Sequence, residues 1–136
     1  MKYVYIAAPF SGDELTNIIR ASRIAAMVNV AGEGKWSAVC PHTMNNLIGL
    51  EMTDMGSKLD DDYWYESTCG LMLRCDAMIL SPEWRGSQGC RQEVDEAFAH
   101  KIPCVPLIRD FQIDDVRSVL NWLEGEIQHK IKHVNG

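Results

Sequence analysis

Four short apolar runs, spaced along the chain by segments of helical periodicity, constrain this sequence more than any other feature. The runs are Tyr3 to Ala8, Trp36 to Cys40, Asp76 to Ser81 and Cys104 to Ile108. Each has strand length and is almost continuously apolar, the pattern of strands buried on both faces of a parallel sheet rather than on one. Between and after them, Asp13 to Val30 carries Leu15, Ile18, Ile19, Ala25, Ala26 and Val28 at helical spacing. Tyr63 to Cys75 reads as a helix behind Asp60, Asp61 and Asp62, which supply cap candidates and favourable charge at its positive end. Gln88 to His100 places Val94, Ala97 and Phe98 on a stripe, and Asp114 to Lys132 does the same with Val116, Val119, Leu120, Leu123, Ile127 and Ile131. Strand and helix alternate, so the expected fold is α/β: a three-layer Rossmann-like or flavodoxin-like sandwich around a small parallel sheet of four to five strands. With 136 residues, 46% of them hydrophobic, residues 1–136 are expected to form one domain around one core. Residues 43–60 show no legible period and are the candidate for a lid.

Charge and cysteine usage narrow the partners. A formal net charge of -6 offers no broad attraction to a polyanion, so a long nucleic acid is not an expected partner. The start, MKYVYIAAPFSG, lacks the parts of a signal peptide, and no stretch reaches the apolar length of a membrane span. The five cysteines are odd in number and form no CxxC pair, which reads as reduced, mostly buried thiols and a cytoplasmic location. His129 and His133 stand four apart on the last helix without a third ligand in view, so no metal and no cofactor are expected.

In a parallel α/β sheet ligands bind beyond the carboxyl ends of the strands, which directs attention to APFSGD, PHTMNN and SPEWRGSQG. Ser87 and Gly89 precede a helix containing Glu93. Free N–H groups at a helix start, a glycine and a hydroxyl can hold an anion there, and Glu93 can project into the same cleft. The plainer alternative is that Ser87 only caps the helix and Glu93 is a solvated carboxylate. Ser11 and Gly12 offer further donors, and strand alternation can aim the Tyr5 hydroxyl at the cleft. His42 is a candidate acid, base or contact, and Trp64, Tyr65 and Trp84 can stack on a base, pack the core or form a subunit contact.

These pieces together resemble the nucleoside 2-deoxyribosyltransferase superfamily and its nucleotide N-glycosidase relatives. The resemblance rests on YIAAPFSG, Asn17, Pro41-His42, CDAMIL at 75–80, and the stretch from Ser87 through Gly89 to Glu93 with Ala97 beyond. It implies Glu93 as a nucleophile on the anomeric carbon of a nucleoside or nucleoside 5′-monophosphate, with Tyr5 orienting it. It implies a substrate pocket of Ala7, Pro9, Phe10, Ser11, Gly12, His42, Trp84, Ser87 and Gly89, and a homodimer or larger homo-oligomer. One position departs from the pattern: Thr68 stands eight residues before Asp76, where catalytic members carry an aspartate that assists the leaving base. The departure keeps a nucleotide-binding protein without turnover, and an oligomeric scaffold, as alternatives.

Overall fold

In the computed structural model the chain forms β1 (Lys2–Ala7), α1 (Glu14–Ala31), β2 (Trp36–Val39), α2 (Pro41–Asp54), α3 (Asp61–Met72), β3 (Ala77–Leu80), a 3-10 turn (Trp84–Gly86), α4 (Gln88–Ala99), β4 (Cys104–Pro106) and α5 (Ile113–Asn135). The structure describes residues 1–57, 59–108 and 112–135, with side chains through residue 131. The strands form one all-parallel sheet in the order β2-β1-β3-β4, so the fold is the expected α/β sandwich with four strands. From β1 the chain moves one way to β2 and the other way to β3. That reversal opens a crevice beyond the carboxyl ends of β1 and β3.

Register sorts the strand side chains into rows on opposite faces. Tyr5 lies beside Met78, which lies beside Cys104; one residue on, Ile6, Ile79 and Val105 form the next row. The Ile6 face packs on α1 and α5 through Val4, Ala21, Ile24, Val28, Val116, Leu120 and Leu123. The Tyr5 face packs on α3 and α4 through Ala7, Cys69, Met72, Leu80, Cys90 and Ala97. Where α1 turns into β2 the chain crosses itself closely at Gly32, and a Cβ there would meet Trp36 Cβ at 2.7 Å. Asp76 fixes a strand edge, accepting a 2.7 Å hydrogen bond from the Tyr3 N–H.

Three expectations need correction. Residues 43–60 are mostly helix: α2 starts at Pro41, the first helical position, where the missing N–H costs nothing. The segment PHTMNN is therefore helix and not loop. The inward face of α1 is Ala21, Ile24, Val28 and Ala31, while Leu15, Ile19 and Ala26 face solvent. In α4 the inward residues are Cys90, Glu93 and Ala97, and Phe98 is 86% exposed. His133 of the proposed histidine pair lies outside the residues whose side chains are described. Among the described residues no cluster of three His, Cys, Asp or Glu side chains is arranged for a metal. No described helix is long and apolar enough to cross a membrane.

Candidate functional site

Positions 90, 93 and 97 fall on one stripe of α4 and face the sheet, so a carboxylate occupies a place that helix packing normally gives to an apolar side chain. Glu93 is 7% exposed, and its Oε2 has no hydrogen-bond partner. Burial pushes its carboxyl up to about 7, moderated by the Tyr5 phenol that faces it. The cost of taking a charge out of water explains the direction. Tyr5 answers in kind: burial, then the adjacent Glu93, hold its phenol well above the ordinary value. Strand alternation thus delivers Tyr5 to the α4 side as the sequence implied, and the pairing of these two residues is the centre of the site.

Weakly acidic groups surround the pair. Cys90 is pushed up to about 11 and Cys104 to about 12, in both cases first by burial and also by the neighbouring Glu93. Tyr65, also raised to about 12 first by burial, and Cys69, raised first by burial, are neighbours on α3 and feel the same carboxyl. Thr68 completes the setting. Its hydroxyl donates to the carbonyl of Trp64 at 3.0 Å and lies against the Tyr5 phenol. Where a proton donor was expected by resemblance, the chain carries a neutral residue in direct contact with Tyr5.

A second group gathers at the carboxyl edge of β1 and β2. His42 Nε2 lies 2.9 Å from the Pro9 carbonyl, which can only accept, so this nitrogen carries the proton and Nδ1 presents a lone pair. That Nδ1 is buried without a partner, and burial lowers the His42 pKa, keeping the ring neutral. Phe10 meets His42 edge to face at 5.5 Å between ring centroids. Asn17 holds the loop from below, its amide donating to the carbonyls of Phe10 and Ser11 at 3.2 and 3.1 Å. Gly12 closes the loop at φ +97°, a left-handed value that favours glycine. Phe10, Ser11 and Gly12 are exposed, whereas Ala7 is buried beneath them.

The α4 entrance is built as the plainer reading held. Ser87 caps the helix, its Oγ accepting from the Cys90 N–H at 3.2 Å. Gly89 has no packing reason within the chain, since an added Cβ would meet only Ser87 Oγ at an ordinary 3.9 Å. Trp84 packs on the Tyr5 side of the core, with the Arg85 guanidinium 5.4 Å above its ring. Sequence reading missed Ser81. It directly follows β3 at the crevice, is 1% exposed, and its Oγ has no partner. Its position as the first polar residue after AMIL was the available signal.

Two surface grooves lie elsewhere. One of about 390 Å³ runs along Tyr63, Glu66, Ser67, Gly70 and Arg74, and one of about 450 Å³ lies between β4 and α5 at Trp122. Comparison of the chain with family models, curated proteins and solved structures finds no match.

Proposed function

We propose that this protein is an N-glycosidase or deoxyribosyltransferase acting on a nucleoside or nucleoside 5′-monophosphate. The observation that carries the reading is the inward-facing carboxyl of Glu93, buried beside Tyr5 with one oxygen unsatisfied. A fold does not place an unpaired carboxyl among cysteines and tyrosines for stability, and perturbed groups of this kind concentrate at reactive sites. As carboxylate, Glu93 attacks the anomeric carbon; the C–N bond breaks with its electron pair leaving on the base, which takes a proton from solvent. Water or a second base then releases the sugar from the resulting ester. The orphaned Ser81 Oγ and His42 Nδ1 are polar atoms with unmet capacity at the same sheet edge, suited to sugar hydroxyls or base N–H groups.

A second reading is a nucleotide-binding protein without turnover. It is favoured by Thr68, which carries no acid, and by the near closure of Glu93. One experiment separates the two. The protein is incubated with deoxynucleosides and their 5′-monophosphates, free base is followed by chromatography, and thermal stabilisation is recorded for each ligand. Base release that disappears in Glu93→Ala supports the enzyme, and release that survives removes Glu93 as nucleophile. Stabilisation without release supports binding alone, and no response to any of them removes both readings in favour of a scaffold.

A further inference from the structure

Helix α2 has two sides of different use. Pro41 and His42 are buried and Asn45, Gly49 and Met52 half-buried on the side turned to the rest of the chain, where the bare Cα of Gly49 faces the Trp64 ring. About a third of a turn round, Met44, Leu47, Ile48, Glu51 and Met55 recur at helical spacing, and all five are exposed. The four apolar ones are 48% to 81% exposed, so no described residue covers them. At about 100 Å² for each such side chain they present roughly 400 Å² of hydrocarbon to solvent. Single exposed apolar residues are ordinary, whereas a stripe of this size marks a surface that meets something.

Charge and area decide what meets it. The longest run of the chain without Asp, Glu, Lys or Arg extends from Trp36 to Leu50, in a protein of net charge -6. A helix that lies on a lipid surface carries Lys or Arg on its polar side, and α2 has neither. Two copies of an acidic chain approach most easily where charge is absent, and this run exposes such a place. We propose that the outer stripe of α2 is the contact face of a homodimer, with Met44, Leu47 and Ile48 at its centre and Glu51 and Met55 at its rim. A two-fold axis beside Leu47 and Ile48 lets the stripe meet itself. It sends the two Glu51 to opposite sides, about 10 Å apart along the helices, where solvent screens them. A stable interface of ordinary size covers about 800 Å² per partner, of which about 450 Å² is apolar, close to what the stripe supplies. The face borders the candidate site, since Met44 follows His42 by two positions, yet it holds whatever reaction that site performs.

The test is the mass of the full chain in solution, by sedimentation equilibrium from micromolar to submillimolar concentration. The expected mass is twice 15.3 kDa, falling to one chain on dilution. Ile48→Glu places a charge at the centre of the contact and raises the dissociation constant at least about thirtyfold. Leu47→Gln weakens the dimer in the same direction and serves should Ile48→Glu fail to fold. A reading on the wild-type chain needs no variant: in the concentrated protein a soluble paramagnetic agent broadens the methyl NMR signal of Met1 but spares that of Met44, and on dilution it broadens both. A mass of one chain at every concentration overturns the proposal, as does a dimer that Ile48→Glu and Leu47→Gln leave intact, which would pair through another face. Capture of the monomer by phosphatidylcholine vesicles, lost in Ile48→Glu, also overturns it and gives the stripe to a lipid surface.

Discussion

The two faces of the sheet are built from the same strands and could hardly differ more. On the α1 and α5 side the row Ile6, Ile79 and Val105 meets Ile24, Val28, Leu120 and Leu123 in one apolar cluster. On the α3 and α4 side the row Tyr5, Met78 and Cys104 meets Cys69, Met72 and Cys90, and into it α4 inserts Glu93. One face lowers the free energy of the fold by removing hydrocarbon from water. The other carries soft sulfur and phenol side chains, which tolerate a carboxyl at a cost in stability. A single-residue alternation in β1 separates the two, with Val4 and Ile6 on one side and Tyr5 and Ala7 on the other. The apolar cluster and the buried carboxyl thus lie on opposite faces of the sheet, and the cost of burying Glu93 falls on one of them.

The comparison can be sharpened by substitutions on each side. The largest effect is expected at Glu93: Glu93→Gln keeps the shape, removes the proposed nucleophile, and on the proposed function lowers base release at least about a thousandfold, roughly 4 kcal/mol of transition-state stabilisation, in the chromatographic assay. On the opposite face Leu123→Ala leaves a cavity and costs about 3 kcal/mol in urea unfolding, while the response of the remaining folded protein to nucleotides is unchanged. A change in ligand response there would show that the faces are not independent. The smallest is Ser87→Ala, which removes the α4 cap and costs about 1 kcal/mol of unfolding free energy. A much larger loss of ligand stabilisation than of stability would mean that the Ser87 hydroxyl also serves a ligand.

Most of the framework was legible because it follows from burial. The four apolar runs became four parallel strands, and the Asp60 and Ser87 caps start α3 and α4 as the sequence suggested. Illegibility came from helices whose apolar residues do not all point inward. In α2 only Pro41 and His42 are buried, while Met44, Leu47, Ile48, Leu50 and Met55 at its end are exposed, so the pattern of an inward stripe never forms. Phe98 misleads in the same way: it draws the expected stripe of α4 one position round from the observed inward face of Cys90, Glu93 and Ala97, of which only Ala97 lay on that stripe. For the candidate site the residue types were visible and strand alternation could aim Tyr5 at the cleft, whereas its pairing with Glu93 was implied only by the family resemblance. The orphaned Ser81 and the contact of Thr68 with Tyr5 depend on side-chain packing across elements, which no local pattern encodes.

The contrast between the faces has a direct thermodynamic signature. The Glu93 midpoint of about 7 in the folded chain lies above the ordinary 4.5, so between those values the native state holds a proton that the unfolded chain has lost. Stability from this group is complete below 4.5 and declines as pH rises through 7, by about 3 kcal/mol in all. His42 acts in the opposite sense, because burial lowers its pKa and stability is lost as pH falls below its ordinary 6.5. Comparing wild-type and Glu93→Gln proteins isolates the first effect, since both retain His42. The decisive measurement is the difference in their unfolding free energies by urea denaturation at about pH 4 and pH 8. If Glu93 is an uncompensated buried acid, Glu93→Gln gains about 3 kcal/mol over wild type on going from the lower to the higher pH. A difference that is the same at both pH values would contradict the account, because Glu93 would then titrate as an ordinary solvated carboxylate.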